Sequence, residues 1–156
     1  MSLHVVLVEP EIPQNTGNIA RTCAATNTTL HLVRPLGFNI DEKSVRRAGL
    51  DYWRYVNLIV HDSIDKFLSE YGNARLFLAT THGDNCYTDF EYEDGDMFLF
   101  GRETRGLPKE LIGNYNDTAI RIPMSENTRL RSLNLANSVN IVLFEALRQN
   151  GFPGLL

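Results

Sequence analysis

The chain has 156 residues, with 19 acidic and 15 basic side chains and a net charge of −4. This length fits one domain, spanning residues 1–156, that can bury about two-thirds of the surface of its unfolded chain. The negative charge argues against indiscriminate binding to nucleic acid, and no apolar run approaches the roughly 18 residues of a membrane span.

The first strand is predicted at His4–Val8. The acidic and proline-containing segment Glu9–Pro13 follows at once as a rigid extended exit, which is unlike a signal peptide. Asn15 or Thr16 can cap a helix that runs to about Ala25. The two cysteines form no CxxC motif, so together with the missing leader they indicate a protein of the reducing cytoplasm.

Five more short apolar segments predict strands. They are Leu30–Val33, Val56–Val60, Arg75–Thr80, Met97–Phe100 and Thr118–Ile122. Three short helices are expected between them, namely Asp41–Ala48 before Gly49, Ile64–Tyr71 after Asp62-Ser63, and Lys109–Ile112. The acidic stretch 84–96 is expected to be irregular.

The last helix is predicted from Leu133 to Gln149, with Ser132 as its N-cap. Asn134, Asn137 and Asn140 lie three residues apart and so roughly on one face. The other positions are apolar over too wide an arc for a surface helix, which indicates burial on more than one side. The asparagines either face a site or satisfy neighbouring loops, because asparagine is a poor helix former.

Strands that alternate with helices predict an α/β fold with a mostly parallel six-stranded sheet and helices on both faces. Ligands bind such sheets beyond the carboxyl ends of the strands. Four polar loops have this position, and we expect them to form one site. They are Glu9–Asn18, Thr80–Asp84, Gly101–Pro108 and Pro123–Ser132.

Two nucleotide-binding patterns are missing. No GxGxxG follows the first strand, and the segment 101–106 lacks the Lys-Ser/Thr pair of a phosphate loop. A nucleotide hydrolase would need such a loop or metal-binding carboxylates at strand ends, and the sequence has neither. His82 is expected to be a solvent-facing loop residue.

Three segments in this order carry a resemblance. They read Asn-Thr-Gly-Asn-Ile-Ala-Arg at 15–21, Phe-Gly-Arg-Glu-Thr-Arg-Gly-Leu-Pro at 100–108, and Ile-Pro-Met at 122–124 followed by Arg-Ser-Leu-Asn-Leu-Ala-Asn at 131–137. Together they resemble the three motifs of the SPOUT superfamily, and more narrowly the tRNA ribose 2′-O-methyltransferases of the TrmL (YibK) type. The resemblance covers essentially the whole chain.

The resemblance implies a C-terminal deep trefoil knot and a homodimer, with the second apolar side of the last helix at the dimer interface. It implies S-adenosylmethionine as the methyl donor, S-adenosylhomocysteine as the product, and no metal. The implied reaction is methylation of the ribose 2′-oxygen at wobble position 34 of a leucine tRNA, where the base is cytidine or carboxymethylaminomethyluridine. The anticodon arm is the implied recognition element.

The resemblance also implies which residues perform the chemistry. The implied catalytic residues are Arg21, Asn15, Glu103, Ser132 and Asn134. The family assigns the activating role to Arg21, either as a general base or, as we prefer for a guanidinium, as a clamp that stabilises the developing alkoxide. The implied donor contacts are Ala79, Thr80, Thr81, Gly101, Glu103, Gly106, Ile122, Met124, Ser132 and Leu133. A binding-only relative could lose Arg21 or Asn134, and this chain keeps both.

The expected RNA contacts come from the two ends of the chain, because the acidic residues concentrate in the middle. Residues 62–96 hold nine acidic and two basic side chains. The candidate contacts are Arg46, Arg47, Trp53, Arg54, Arg129 and Arg131. Leu130 and Arg131 look like an insertion relative to the family, so either Arg129 or Arg131 takes the family arginine position. Phe144 stands where the family often has tyrosine.

Overall fold

The structure is a computed structural model that describes residues 1–40, 53–127, 129 and 132–156. Within these residues, seven strands form one sheet in the order β3-β2-β1-β6-β4-β7-β5, with parallel pairing between neighbours. The strands are β1 (His4–Val8), β2 (Thr29–Val33), β3 (Asn57–His61), β4 (Leu76–Ala79), β5 (Asn85–Cys86), β6 (Met97–Phe100) and β7 (Ala119–Arg121). The helices are α1 (Pro13–Ala25), α2 (Ile64–Tyr71), α3 (Lys109–Asn114) and α4 (Leu135–Gln149), and short 3₁₀ turns cover Trp53–Tyr55 and Asn116–Thr118.

The parallel α/β sheet is confirmed, but the predicted count of six strands is wrong. The seventh strand, β5, lies inside the stretch predicted to be irregular, and it pairs with β7 through Asn85–Ile120 and Cys86–Arg121. A segment of two residues is too short to show the alternation by which a sequence pattern detects a strand. Only the neighbouring strand makes this segment a strand.

The sheet separates two apolar cores, one on each face. Val5 and Leu7 of β1 point to the core shared with α1 and α4, and Val6 and Val8 point to the core shared with α2 and α3. All four side chains are at most 1% exposed. A central strand that is buried on both faces needs a continuous apolar run, which is what the first strand has.

The start of α1 differs from the prediction. The helix begins at Pro13, with Ile12 as an N-cap that makes no side-chain cap hydrogen bond. Proline is favoured at the first helical position because its φ is already helical and its missing N–H needs no partner there. Asn15 and Thr16, the predicted caps, are therefore inside the first turn, and both are buried.

The start of α4 also differs. Asn134, and not Ser132, is the N-cap, since its Oδ1 accepts hydrogen bonds from the amides of Ala136 at 2.9 Å and Asn137 at 3.4 Å. The helix ends at Gln149 as predicted. Helix α2 has the predicted bounds and the predicted Ser63 cap. The helix predicted at Asp41–Ala48 lies outside the described residues.

None of the helices in the described ranges is long and apolar enough to cross a membrane.

Three histidines form a row across the adjacent strands β1, β2 and β3. The Nδ1 atom of His4 lies 2.9 Å from Nε2 of His31, and Nδ1 of His31 lies 2.9 Å from Nε2 of His61. The three rings lie on the adjacent strands β1, β2 and β3, and aromatic side chains of α2, Phe67 and Tyr71, pack on His31 and His61. Both ring nitrogens of the fully buried His31 thus have a hydrogen-bond partner.

Burial keeps His31 neutral. Its side chain is 0% exposed. Burial, followed by the neighbouring His4 and His61, lowers the pKa of His31 to about 3. Burial also lowers the pKa of His4 and of His61. A charged imidazole at His31 would lack solvent, and its two hydrogen-bond partners are histidines and not carboxylates.

This pKa predicts acid sensitivity of the fold. The unfolded chain binds a proton at His31 below its ordinary pKa of 6.5, and the folded protein does so only near pH 3. The free energy of unfolding should therefore fall as the pH is lowered through this window, by at most about 1.4 kcal/mol per pH unit for this one group. His31→Phe should flatten the pH dependence measured by urea unfolding. His82→Gln, which changes an exposed loop histidine, should keep the wild-type slope, and an unchanged slope in His31→Phe would contradict the assignment.

Candidate active site at the carboxyl edge of the sheet

A cavity of about 590 Å³ opens beyond the carboxyl ends of β4, β6 and β7. All four loops that the sequence predicts at this edge contribute to its lining. The residues expected to contact the donor all line it, namely Ala79, Thr80, Thr81, Gly101, Glu103, Gly106, Ile122, Met124, Ser132 and Leu133. Its volume is in the ordinary range for a small-molecule site, about 300–1,000 Å³.

A tight turn at residues 101–106 forms one wall of this cavity. The amide of Arg102 donates to the carbonyl of Gly106 at 3.2 Å, and the amide of Gly106 donates to the carbonyl of Arg102 at 2.8 Å. A Cβ atom at Gly101 would lie 2.0 Å from the carbonyl carbon of Gly106 and 2.1 Å from the amide nitrogen of Leu107. Only glycine permits this close approach of two backbone segments.

Charged and polar side chains connect this turn with the segment before α1. We call Glu9, Glu11, Arg102, Glu103 and Thr104 the inter-loop cluster. The carboxylate of Glu103 accepts hydrogen bonds from the amides of Glu11 at 3.0 Å and Ile12 at 2.6 Å. In return, Oε1 of Glu11 accepts from the amide of Thr104 at 3.1 Å and from its hydroxyl at 2.7 Å.

The cluster also contains an ion pair, and its hydrogen bonds and charges lower the pKa of Glu11. Nη2 of Arg102 lies 2.8 Å from the carboxylate of Glu9. The hydrogen bonds from the side chain and backbone of Thr104 lower the pKa of Glu11, and the nearby charges of Arg102 and Arg105 lower it further. Glu11 is therefore ionised at neutral pH. The resemblance implies Glu103 as a catalytic residue and a donor contact. The hydrogen bonds of Glu103 to the segment before α1 are an additional contact that the sequence did not indicate.

Two polar contacts hold α1 beside α4. Nδ2 of Asn134 donates to Oδ1 of Asn15 at 3.1 Å, and the hydroxyl of Thr22 donates to Oδ1 of Asn140 at 2.8 Å. The two contacts are about two helical turns apart on each helix. Asn134 and Asn140 therefore form hydrogen bonds with side chains of the neighbouring helix α1. The contact between Asn134 and Asn15 lies at the cavity, which both residues line.

Arg21 lies on the exposed side of α1. The residues that line the cavity in the described part of the chain do not include Arg21, whereas they include the other four expected catalytic residues, Asn15, Glu103, Ser132 and Asn134. The first turn of α1 reaches the cavity through Asn15, and Arg21 follows about 9 Å further along the helix axis.

The apolar part of the cavity wall was predicted only in part, through Ala79, Ile122, Met124 and Leu133, and further apolar residues were not expected there. Leu107, Ile112, Leu135 and Val142 line it. Each is an apolar residue in or beside a helix, and such a position indicates core packing rather than a binding site. His82 is exposed as predicted, and it also lies at the cavity. In the described ranges, no group of three or more His, Cys, Asp or Glu side chains is arranged to hold a metal ion.

The predicted RNA contacts are only partly covered by the structure. Trp53 and Arg54 lie in the 3₁₀ turn Trp53–Tyr55, where the guanidinium of Arg54 stacks 5.0 Å from the ring centre of Tyr55. Tyr55 is 66% exposed, and Arg129 is exposed. Arg46, Arg47 and Arg131 lie outside the described residues.

The fold and the cavity together define a class of protein. It is a parallel α/β protein whose ligand cavity lies at the carboxyl edge of the sheet and has a glycine turn as one wall. The profile of the SpoU rRNA Methylase family matches residues 2–144 of the chain. The chain belongs to this family.

Similar proteins support this membership over the full length. The tRNA (cytidine(34)-2′-O)-methyltransferase of Methylovorus glucosotrophus is 46% identical over 151 residues, which cover 96% of this chain and 97% of the relative. A structure described as "Structural insights into the 2-OH methylation of C/U34 on tRNA" is 45% identical, with a TM-score of 0.91 and coverage of 96% of this chain and 97% of that chain. The AdoMet-bound rRNA methyltransferase of Sinorhizobium meliloti is 26% identical, with a TM-score of 0.84 over 94% of this chain and 56% of that chain. The resemblance stated for the sequence is confirmed.

The glycine turn gives a matched pair of variants. Gly101→Ala should lower the free energy of unfolding by about 3 kcal/mol, because its Cβ would overlap the backbone of the opposite strand of the turn. Gly106 has φ +67° but open space around it, so Gly106→Ala should cost only about 1 kcal/mol of left-handed backbone strain. Urea unfolding measures both. Equal effects of the two substitutions would show that the close approach at Gly101 does not limit stability.

Proposed function

We propose that this protein transfers a methyl group from S-adenosylmethionine to the ribose 2′-hydroxyl of nucleotide 34, the wobble position, in tRNA. The single observation that carries the proposal is the cavity at the carboxyl edge, where the four predicted loops meet and three of them carry the family motifs. The same reaction is supported by the name of the relative from Methylovorus glucosotrophus and by the description of the structure on methylation of C/U34.

The residues at the cavity fit the donor. S-adenosylmethionine supplies a methyl group on a positively charged sulfur, with an adenine ring and a charged amino acid at its two ends. The apolar side chains of Leu107, Leu135 and Val142 suit a flat ring, and the polar Thr80 and Glu103 suit the charged end. The turn at 101–106 brings backbone groups to the cavity without a side chain at Gly101.

The residues of α1 and α4 are suited to hold the ribose. Methyl transfer needs in-line alignment of the 2′-oxygen with the donor, and alignment alone contributes several kcal/mol. Asn134 orients Asn15 through its 3.1 Å hydrogen bond, and Ser132 lies beside them at the cavity. Arg21 then acts on the RNA, either as the general base that the family assigns or, as we prefer, as a cation that holds a phosphate and stabilises the developing alkoxide.

The proposed substrate is a leucine tRNA with cytidine or carboxymethylaminomethyluridine at position 34, recognised mainly through its anticodon arm. A protein with a net charge of −4 cannot rely on broad phosphate attraction, so its RNA contacts must be few and specific. Splayed bases in a loop suit exposed aromatic and arginine side chains, such as the stacked Arg54 and Tyr55. Arg46, Arg47, Trp53, Arg129 and Arg131 are the further proposed contacts. The proposal also includes that residues 1–156 form one domain and that the protein acts in the cytoplasm.

The C-terminal trefoil knot is part of the proposal. Strand β7 lies between β4 and β5 in the sheet, although β4 and β5 are neighbours in sequence. The short loop that joins them must therefore pass across the end of β7. A Cβ at Gly83 in this loop would lie 3.1 Å from the carbonyl oxygen of Ala119, which supports such a close crossing. Threading of the following segment through this region is what a trefoil knot requires.

A homodimer through α4 is also proposed. Phe144 is 44% exposed on α4, whereas Leu143 and Leu147 are 1% and 3% exposed. Sedimentation should therefore give twice the chain mass of 17.7 kDa for the wild type and a folded monomer for Phe144→Lys. Leu143→Lys should instead unfold the protein, because its charge would enter the core. A wild-type monomer at micromolar concentration would overturn the dimer.

The reaction itself is tested by mapping. Wild-type protein with labelled S-adenosylmethionine and bulk tRNA that lacks 2′-O-methylation should place the label at nucleotide 34 of leucine tRNA, without a need for magnesium when the RNA is prefolded. Arg21→Ala should abolish the transfer, yet S-adenosylhomocysteine should still raise its melting temperature. Lys66→Ala, which removes an exposed charge on α2, should behave as the wild type.

Each outcome of this experiment has a distinct meaning. Label in the D-loop or in ribosomal RNA would reject the wobble position but keep the chemistry. Absence of label from every RNA would reject methyl transfer. Loss of S-adenosylhomocysteine binding in Arg21→Ala would reject the role of Arg21.

A further inference from the structure

The inter-loop cluster joins two parts of the site that are distant in sequence. One part is the segment before α1, which leads into the helix that bears Asn15 and Arg21. The other is the glycine turn at 101–106, about 90 residues later. The hydrogen bonds run in both directions, because Glu103 accepts from the amides of the first segment and Glu11 accepts from Thr104 of the turn.

These contacts do not belong to either apolar core. The backbone of the first segment is fixed from its other side, where the amide of Gly37 donates to the carbonyl of Pro10 at 2.9 Å. Glu9 has a left-handed φ of 55°, a conformation that a non-glycine residue keeps only when its surroundings hold it. The ion pair between Glu9 and Arg102 is one such contact. The cluster thus stabilises a backbone conformation at Glu9 that is unfavourable for a non-glycine residue.

We propose that Glu11 is a positioning residue for methyl transfer: its carboxylate fixes the glycine turn against the start of α1, so that the donor cavity and the helix with Asn15 and Arg21 keep one relative position. The inference rests on the proposed function. Glu11 itself is not among the cavity-lining residues of the described chain, whereas Ile12 and Thr104 on either side of the contact are. Glu11 therefore acts through its neighbours and not on the reactants.

The physical reason for an effect on rate is alignment. In-line displacement tolerates little misplacement, and a shift of about 1 Å can cost roughly 100-fold in rate. Loss of the carboxylate removes an acceptor for two donors of Thr104 at once. The donor cavity would keep its walls, but its position relative to α1 would no longer be defined on this side.

The test compares three variants with the wild-type protein in methylation of tRNA. Glu11→Ala should lower kcat by about 10-fold to 100-fold, while the Kd for S-adenosylhomocysteine changes by less than about 3-fold. Glu11→Gln keeps an oxygen acceptor for Thr104 and should recover most of kcat. Glu110→Ala, which removes an exposed glutamate on α3, should match the wild type in both quantities.

A double-mutant cycle and hydrogen exchange test the partner. Thr104→Val removes the hydroxyl donor, and its effect on kcat should largely vanish in the Glu11→Ala background, because the two side chains act through one contact. Hydrogen–deuterium exchange of free Glu11→Ala should be faster than in the wild type both at residues 11–12 and at residues 101–106. This readout does not depend on activity.

The outcomes separate this inference from the function on which it rests. An active wild type with unchanged kcat in Glu11→Ala would reject the inference alone. So would a proportional loss of kcat, S-adenosylhomocysteine affinity and melting temperature, since that pattern indicates general destabilisation. A wild type that methylates no tRNA would reject the proposed function and the inference together.

Discussion

The parallel direction of the strands is the constraint on which the rest of the molecule depends. Each parallel connection must return over a face of the sheet, so helices cover both faces and the central strands are buried on both sides. Val5 to Val8 of β1 satisfy this requirement, since they alternate between two separate apolar cores. The loops that follow the strands are free of this requirement, so their polar groups can converge at the carboxyl ends of the strands. The cavity at the carboxyl edge follows from this arrangement.

The row of His4, His31 and His61 shows how the second core accepts polar atoms. Their mutual hydrogen bonds replace water, and the rings of Phe67 and Tyr71 cover two of them. Such an arrangement is satisfied only while the imidazoles are neutral. The row runs from His4 at the amino end of β1 to His61 at the carboxyl end of β3. The lining residues of the cavity in the described chain do not include these three histidines, so the acid sensitivity of the fold and the chemistry at the cavity involve different groups.

The cavity itself is built from contacts that cross the chain. Asn134 caps α4 with its oxygen and contacts Asn15 with its nitrogen, so one side chain starts a helix and connects it to α1. The carboxylate of Glu103 likewise connects the glycine turn to the segment before α1, through the amides of Glu11 and Ile12. A nucleotide hydrolase would instead need a phosphate loop or metal ligands. In the turn at 101–106, the amides of Arg102 and Gly106 are used by two backbone hydrogen bonds, and the amide of Thr104 donates to Glu11.

The sequence by itself determined the parallel α/β class, the bounds of α2, the end of α4 and the four loops of the site, because apolar periodicity, caps and breakers are local signals. The ordered motifs determined the family. Only the tertiary structure decided the strand β5, whose two residues become a strand through β7, and the start of α4 at Asn134, where Asn15 is the partner. It also decided that Leu107 and Val142 line a cavity and that Glu11 and Thr104 meet. These are contacts between residues far apart in the chain, and no local pattern specifies which of several suitable partners a side chain finds.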